Sequence, residues 1–382
     1  MANVRLRSLA IIGSSVLILS GLNGCASDNS PQPQPMPLVT NEATLTLGWS
    51  KHLGAGQAGS FIPVNFDNAI FAAAGDGQVY KIDPSDGSII SHFKLRRKLS
   101  SGVAVTGATI FVTTMDAQLL AIDKGNGKIR WQAQLPTLAL EAPQTAADLV
   151  VVRTNDAELL AFNVADGAAA WIYQKPIPAL TLRTRNTFQV VGNDVVAAGL
   201  PGGKLALLNL RTGVPIWENY IAIPEGATDL DKITDIAMRP VIDNKMLCVA
   251  SYNGKIACLD AISSNIMWEK NFSSSRGLVI DQQNVYAVSQ DGVVDAYDKA
   301  SGGQVWQNIT LQYRNLGIPA LLGNGIILSD SDGWIHMFNR NDGHEMARIA
   351  SKLYAGTSYP LVRDNGVVFQ AANGYLALIK NY

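Results

Sequence analysis

A short pattern returns along almost the whole chain, and self-similarity at this period confines a sequence to very few architectures. From one turn onward it reads GDGQVYKIDPSDGSIISHFKL at Gly75, MDAQLLAIDKGNGKIRWQAQL at Met115 and NDAELLAFNVADGAAAWIYQK at Asn155. It comes back at Pro201, Tyr252, Gln290 and Ser331, and an eighth time, shortened, at Ala372, with successive offsets of 40, 40, 46, 51, 38, 41 and 41. Each copy opens on an Asp-Gly or Asn-Gly type of pair, which supplies the positive φ of a tight hairpin. Gly77, Gly203, Gly254, Gly292, Gly333 and Gly374 hold the second place, and Ala117 and Ala157 replace it. An alanine forced into the left-handed region costs about 1 kcal/mol, so those two turns are expected to differ in type. After the turn comes an alternating apolar strand, a second turn such as Asp166-Gly167, and another strand; two more strand-like runs precede each first turn. Four short strands per copy make a propeller blade, and no 3.6-residue period competes with that reading.

A tryptophan marks the fourth strand, four residues after the glycine position of the second turn: Trp131, Trp171, Trp217, Trp268 and Trp306. Ser91 and Ala347 stand there in the first and seventh copies. Such an indole is expected to pack across to the neighbouring blade, where its burial stabilises the interface by a few kcal/mol. The last copy stops at Tyr382 after its third strand, whereas TLTLGWSKHL near the start carries Trp49 as an orphan fourth-strand signature. The expected fold is therefore all-β: an eight-bladed β-propeller of four-stranded antiparallel blades, closed by the N-terminal strand completing the last blade. Closure removes exposed sheet edges and makes residues 44–382 one domain.

The first residues, MANVRLRSLAIIGSSVLILSGLNGC, have two arginines, an apolar run and small residues before Cys25, the tripartite pattern of an export signal over 1–24. Leu22-Asn23-Gly24-Cys25 resembles a lipobox, which implies lipidation of Cys25; Ala26 in place of Asp implies retention at the outer membrane. Residues 25–43 then read as an extended, mobile Pro- and Gln-rich tether. With 47% hydrophobic and 16% charged residues and a net charge of −1, the chain can bury a large core but has no basic face for nucleic acid. No later apolar stretch is long enough to span a bilayer. Cys248 and Cys258 lie on either side of a tight turn. The spacing leaves two readings open, a disulfide or two small buried apolar thiols, and strand register uncertain by one residue favours the thiols.

The run of Asp/Asn-Gly-x-x-x-Trp after LLAID or LLAFN resembles the pyrroloquinoline-quinone-type propeller repeat. Two groups share it: quinoprotein dehydrogenases, and the BamB family of lipoproteins of the outer-membrane β-barrel assembly machinery. The second resemblance extends from the lipobox to the last blade. It includes IPALTLR between copies three and four and DLDKITDIAMRPVI before copy five, where the long offsets fall. It implies that Leu180, Leu182 and Arg183 help dock the propeller onto a periplasmic POTRA domain of BamA, and through it the other subunits. An extended connection on the rim can present two leucines, with Arg183 adding a directional contact; the alternative is that the leucines pack inward on the first strand of blade four. The family's Asp-x-Asp pair falls on Asp235 and Ala237, so one carboxylate is missing or comes from Asp229 or Asp231.

A quinone-dependent dehydrogenase would need Ca²⁺ ligands, an Asp base and, in many members, adjacent cysteines. No such loop is legible, and the four histidines, His52, His92, His336 and His344, make no site. No catalytic residue, metal or cofactor is expected. The resulting expectation is a non-catalytic scaffold, anchored to the membrane by lipid alone, that binds BamA and offers blade edges to unfolded barrel clients by strand addition. A generic periplasmic protein-binding propeller is the other non-enzymatic reading.

Overall fold

The structure, a computed structural model, describes residues 31–54, 56 and 60–382. Cys25 and the signal segment lie outside the described residues. Strands β1 to β32 form eight four-stranded antiparallel sheets. Blades one to seven take residues 64–94, 104–134, 144–173, 188–220, 241–271, 278–308 and 320–350 in order. Blade eight takes β30 (Leu361–Arg363), β31 (Gly366–Gln370) and β32 (Tyr375–Asn381), completed by β1 (Leu45–His52) on the outside of β32. The expected eight-bladed ring and its closing strand are thus both present. In each sheet the second and third strands are almost wholly buried and the fourth alternates outward, so the core is a set of apolar layers between blades. Antiparallel alternation puts every blade-to-blade connection, together with every second-to-third-strand turn, on one face of the ring.

The indole positions show how neighbouring blades are locked. Trp131 Nε1 donates to the Val164 carbonyl of the next blade at 3.0 Å, Trp171 to Leu210 at 2.7 Å, and Trp268 to Lys299 at 2.9 Å. Trp49, on the closing strand, does the same to Pro84 of blade one at 3.0 Å. The indole lies flat on the glycine of the next blade's second turn: a Cβ on Gly167, at φ 76°, would sit 2.6 Å from Trp131. That glycine is required twice, by its left-handed backbone and by the ring against it. The two exceptions have reasons. Blade one uses Phe93, two residues after Ser91, against Gly127. Blade seven needs no indole because blade eight has no turn between its third and fourth strands, and Ala347 packs instead near Ala43 and Leu45.

One device in each blade escaped the sequence. In all eight sheets the fourth strand carries an extra, unpaired residue immediately before the indole position, from Gly48 beside Trp49 to Met346 beside Ala347. A bulge bends a strand and re-aims the following side chain, here toward the adjoining blade.

Two expectations are corrected. Ala117 (φ 55°) and Ala157 (φ 66°) are left-handed like the glycines they replace, and their N–H groups donate to Thr114 and Thr154 as Gly77 does to Ala74. The turns that differ are at Pro201–Gly203, where Gly202 (φ 71°) and Gly203 (φ 75°) are both left-handed, and at Asn253-Gly254, where Asn253 takes the positive φ of 47°. Cys248 and Cys258 are directly opposed on β19 (Met246–Ala250) and β20 (Lys255–Asp260) and joined in a disulfide, both fully buried. The register that spacing alone could not fix decides this.

Residues 34–42 have no regular structure, and they are held against blade seven. Gln34 N donates to Gln312 O at 3.0 Å and Glu42 N to Met346 O at 2.8 Å. Arg314 donates to the Gln34 carbonyl at 3.3 Å and Arg348 to that of Pro37 at 3.2 Å. Both arginines end a buried chain of ionisable side chains. Arg314 contacts Asp330, His336 lies between Asp330 (3.3 Å) and Glu345 (2.6 Å), and Arg348 contacts Glu345.

Candidate partner-docking face

The long connection between blades three and four crosses the connection face without forming a strand. Its apolar residues do not turn inward: Leu180 is 47% and Ile177 43% exposed, Leu182 is half-buried and Arg183 is exposed. The first strand of blade four begins only at Phe188, so the alternative of an inward-packed strand does not hold.

Two buried carboxylates fix this exposed run. Asp235, from the second long connection, is 2% exposed. Its Oδ2 accepts the Leu182 N–H at 2.6 Å and its Oδ1 the Gly202 N–H at 2.8 Å. It thereby ties the first connection to the tight turn of blade four. Glu141, on blade three's side, accepts the Thr187 N–H at 2.7 Å and the Thr187 hydroxyl at 2.5 Å, and pairs with the buried Arg153 at 3.4 Å. Hydrogen bonds to a charged acceptor are each worth about 1.5–3 kcal/mol. The chain is therefore clamped at residues 182 and 187, with Leu180 and Arg183 left facing solvent. Burial lowers the affinity of Arg153 for its proton, an effect opposed by Glu141.

The structure brings Leu180, Leu182, Arg183 and Asp235 together, with Asp235 beneath the others. Ala237 is buried. Asp229 pairs with Lys232 and Asp231 accepts the Thr228 N–H, so both are engaged within their own loop. Glu141, Arg153 and Thr187 were missed by sequence reasoning. Their only local signal is a lone Glu in an apolar run, LALEAP, and its partner lies 46 residues away. Among the described residues, no group of three or more His, Cys, Asp or Glu side chains is arranged to hold a metal.

Ring, repeat and clamped rim define a propeller of the quinoprotein-repeat class. A family model described as outer membrane protein assembly factor BamB matches residues 75–308 and 290–380. The chain belongs to the BamB family of outer membrane protein assembly factors. It is 35% identical to the BamB of Bordetella pertussis over 373 residues, covering 97% of this chain and 96% of that one. It is 42% identical to the BamB of Pseudomonas aeruginosa over 330 residues, covering 85% and 87%. Among solved structures, BamB from Moraxella catarrhalis superposes with a TM-score of 0.80 at 25% identity, over 88% of this chain and all of that one. A quinohemoprotein alcohol dehydrogenase from Comamonas testosteroni reaches 0.70 at 13% identity, over 88% and 76%, which is a likeness of fold alone.

Proposed function

We propose that this chain is a non-catalytic scaffold that docks the ring onto a periplasmic POTRA domain of BamA through Leu180, Leu182 and Arg183. Cys25 carries the lipid that holds it to the periplasmic face of the outer membrane. The observation that carries the reading is an apolar, cationic run exposed on a backbone clamped from below by Asp235. A patch fixed before binding loses little conformational entropy on docking. Asp235 acts as a positioning residue, since both its oxygens are already bonded within the chain. The relatives are named as assembly factors, which supports a scaffold over an enzyme.

The test is Leu182→Glu combined with Arg183→Glu. Co-purification of BamA from solubilised outer membranes should be lost while the far-UV spectrum and Tm stay at wild-type values. Retention of BamA by the double variant would place the interface elsewhere.

A further inference from the structure

The same face holds a second feature toward the ring axis. A funnel of about 460 Å³ is lined by Arg183, Arg185 and Arg276 together with Tyr252, Gln290 and Asn315, and by no Asp or Glu among the described residues. Two residues past its lining, on the way to the innermost strands of blades five and eight, Arg239 stacks over the Tyr359 ring at 4.3 Å to the centroid. Those blades are three apart in the ring, so the pair reaches across the central channel.

Arg239 and Arg276 differ from the well-buried arginines elsewhere in the ring. Arg153, Arg314 and Arg348, all well buried, each face a carboxylate. Arg276 meets only the neutral Asn315 amide oxygen and Arg239 only an aromatic face. The Nε of each is buried with no acceptor. No Asp or Glu among the described residues pairs with Arg183, Arg239 or Arg276. Burial lowers the proton affinity of both Arg239 and Arg276, an effect that Tyr359 and Glu141 oppose at Arg239 and no described residue opposes at Arg276. The carboxylates behind this face are already engaged: Glu141 holds Arg153 and Thr187, and Asp235 holds Leu182 and Gly202. A desolvated cation without a counter-charge is costly, and the remedy is an anion supplied from outside.

We infer that the funnel receives an acidic polypeptide segment whose carboxylates bridge Arg276 and Arg183. A peptide fits better than a bare ion because the walls mix neutral hydrogen-bonding groups with apolar Leu182, Leu316 and Ile318. Leu182 and Arg183 also belong to the rim patch, so a partner seated there places a protruding segment over the funnel. In this respect the inference rests on the docking function proposed above. Arginine's planar fork matches a carboxylate bidentately where lysine cannot.

The experiment titrates the full chain in detergent with an acetylated tetraglutamate peptide, with tetraglutamine and inorganic phosphate as controls. Tetraglutamate should bind at low salt and tetraglutamine should not. Arg276→Gln should weaken binding about tenfold, and Arg276→Lys, which keeps the charge without the fork, should also weaken it. Because Arg276→Gln removes a half-buried charge that no carboxylate faces, Tm should hold or rise. A fall of several degrees would make Arg276 a structural residue and overturn the inference, as would tetraglutamate binding unchanged in Arg276→Gln. Phosphate binding as tightly as the peptide would replace the polypeptide with a small inorganic anion. Leu180→Glu, in the exposed rim patch but outside the funnel lining, separates the two proposals. Lost BamA capture with tetraglutamate binding retained through Arg276 supports both; normal capture with Arg276-dependent peptide binding overturns the rim assignment alone.

Discussion

At the scale of single residues, buried polar groups in this ring are placed where two elements must be joined. Trp171 is 8% exposed and its N–H reaches the Leu210 carbonyl of the next blade. Trp171→Phe keeps most of the apolar contact and should cost about 1 kcal/mol, whereas Trp171→Ala should cost about 3–5 kcal/mol, read as a drop in Tm. The buried chain through His336 makes a pH prediction. Burial alone would raise the pKa of Asp330 and Glu345, but His336, with the flanking arginines, holds both below their ordinary values. A carboxylate with a depressed folded pKa contributes stability above its unfolded pKa and loses it as pH falls through the folded value. The acid limb of the Tm profile should therefore lie below about pH 4.5 in the native protein. His336→Leu, by removing the side-chain hydrogen bonds between the two carboxylates, should move that limb to higher pH. An unmoved limb would show that Arg314 and Arg348 suffice.

At the scale of elements, the segment over residues 34–42 departs most from what composition suggests. A Pro- and Gln-rich stretch reads as a free tether because it has little apolar surface to bury. Its carbonyls, however, are groups that any backbone offers, and Arg314 and Arg348 take two of them. Arg348→Ala should raise the rate of proteolytic cleavage within residues 33–42 severalfold and, by taking a cationic partner from the buried Glu345, also lower the ring's Tm; unchanged cleavage would show that the remaining bonds hold the strap alone. Blade count, strand order, indole positions and the closing strand were legible because the pattern repeats, so each copy checks the others. The bulge before each indole was not, since it is a property of two paired strands and no residue type marks it. The Cys248–Cys258 bridge turned on a one-residue register for the same reason. The basic funnel was hidden differently: Arg183, Arg185, Arg239 and Arg276 come from three connections, each an ordinary loop arginine until the ring draws them together.

At the scale of the whole molecule, the ring is held shut by its most non-local contact. β1 pairs with β32 through seven residue pairs, from Leu45–Asn381 to His52–Tyr375, and brings Trp49 onto blade one. Every other blade is a local meander whose pairing survives if a neighbour opens, whereas this seam joins the two ends of the domain. Its loss would leave β32 an unpaired edge, uncover the apolar layer around Leu376 and Leu378, and remove the indole from Gly87. The seam is thus the expected first site of opening, and a covalent link there should act on the entire ring. Thr46 and Lys380 are directly opposed and both half-buried, so Thr46→Cys with Lys380→Cys can close it without disturbing the core. Joining positions so far apart in sequence should stabilise by about 2–5 kcal/mol, seen as a higher Tm and slower unfolding. Reduction should reverse the gain, because the fully buried Cys248–Cys258 pair is shielded while the engineered one is reachable. An oxidised variant that melts and unfolds as the parent does would show that the ring first parts between two other blades.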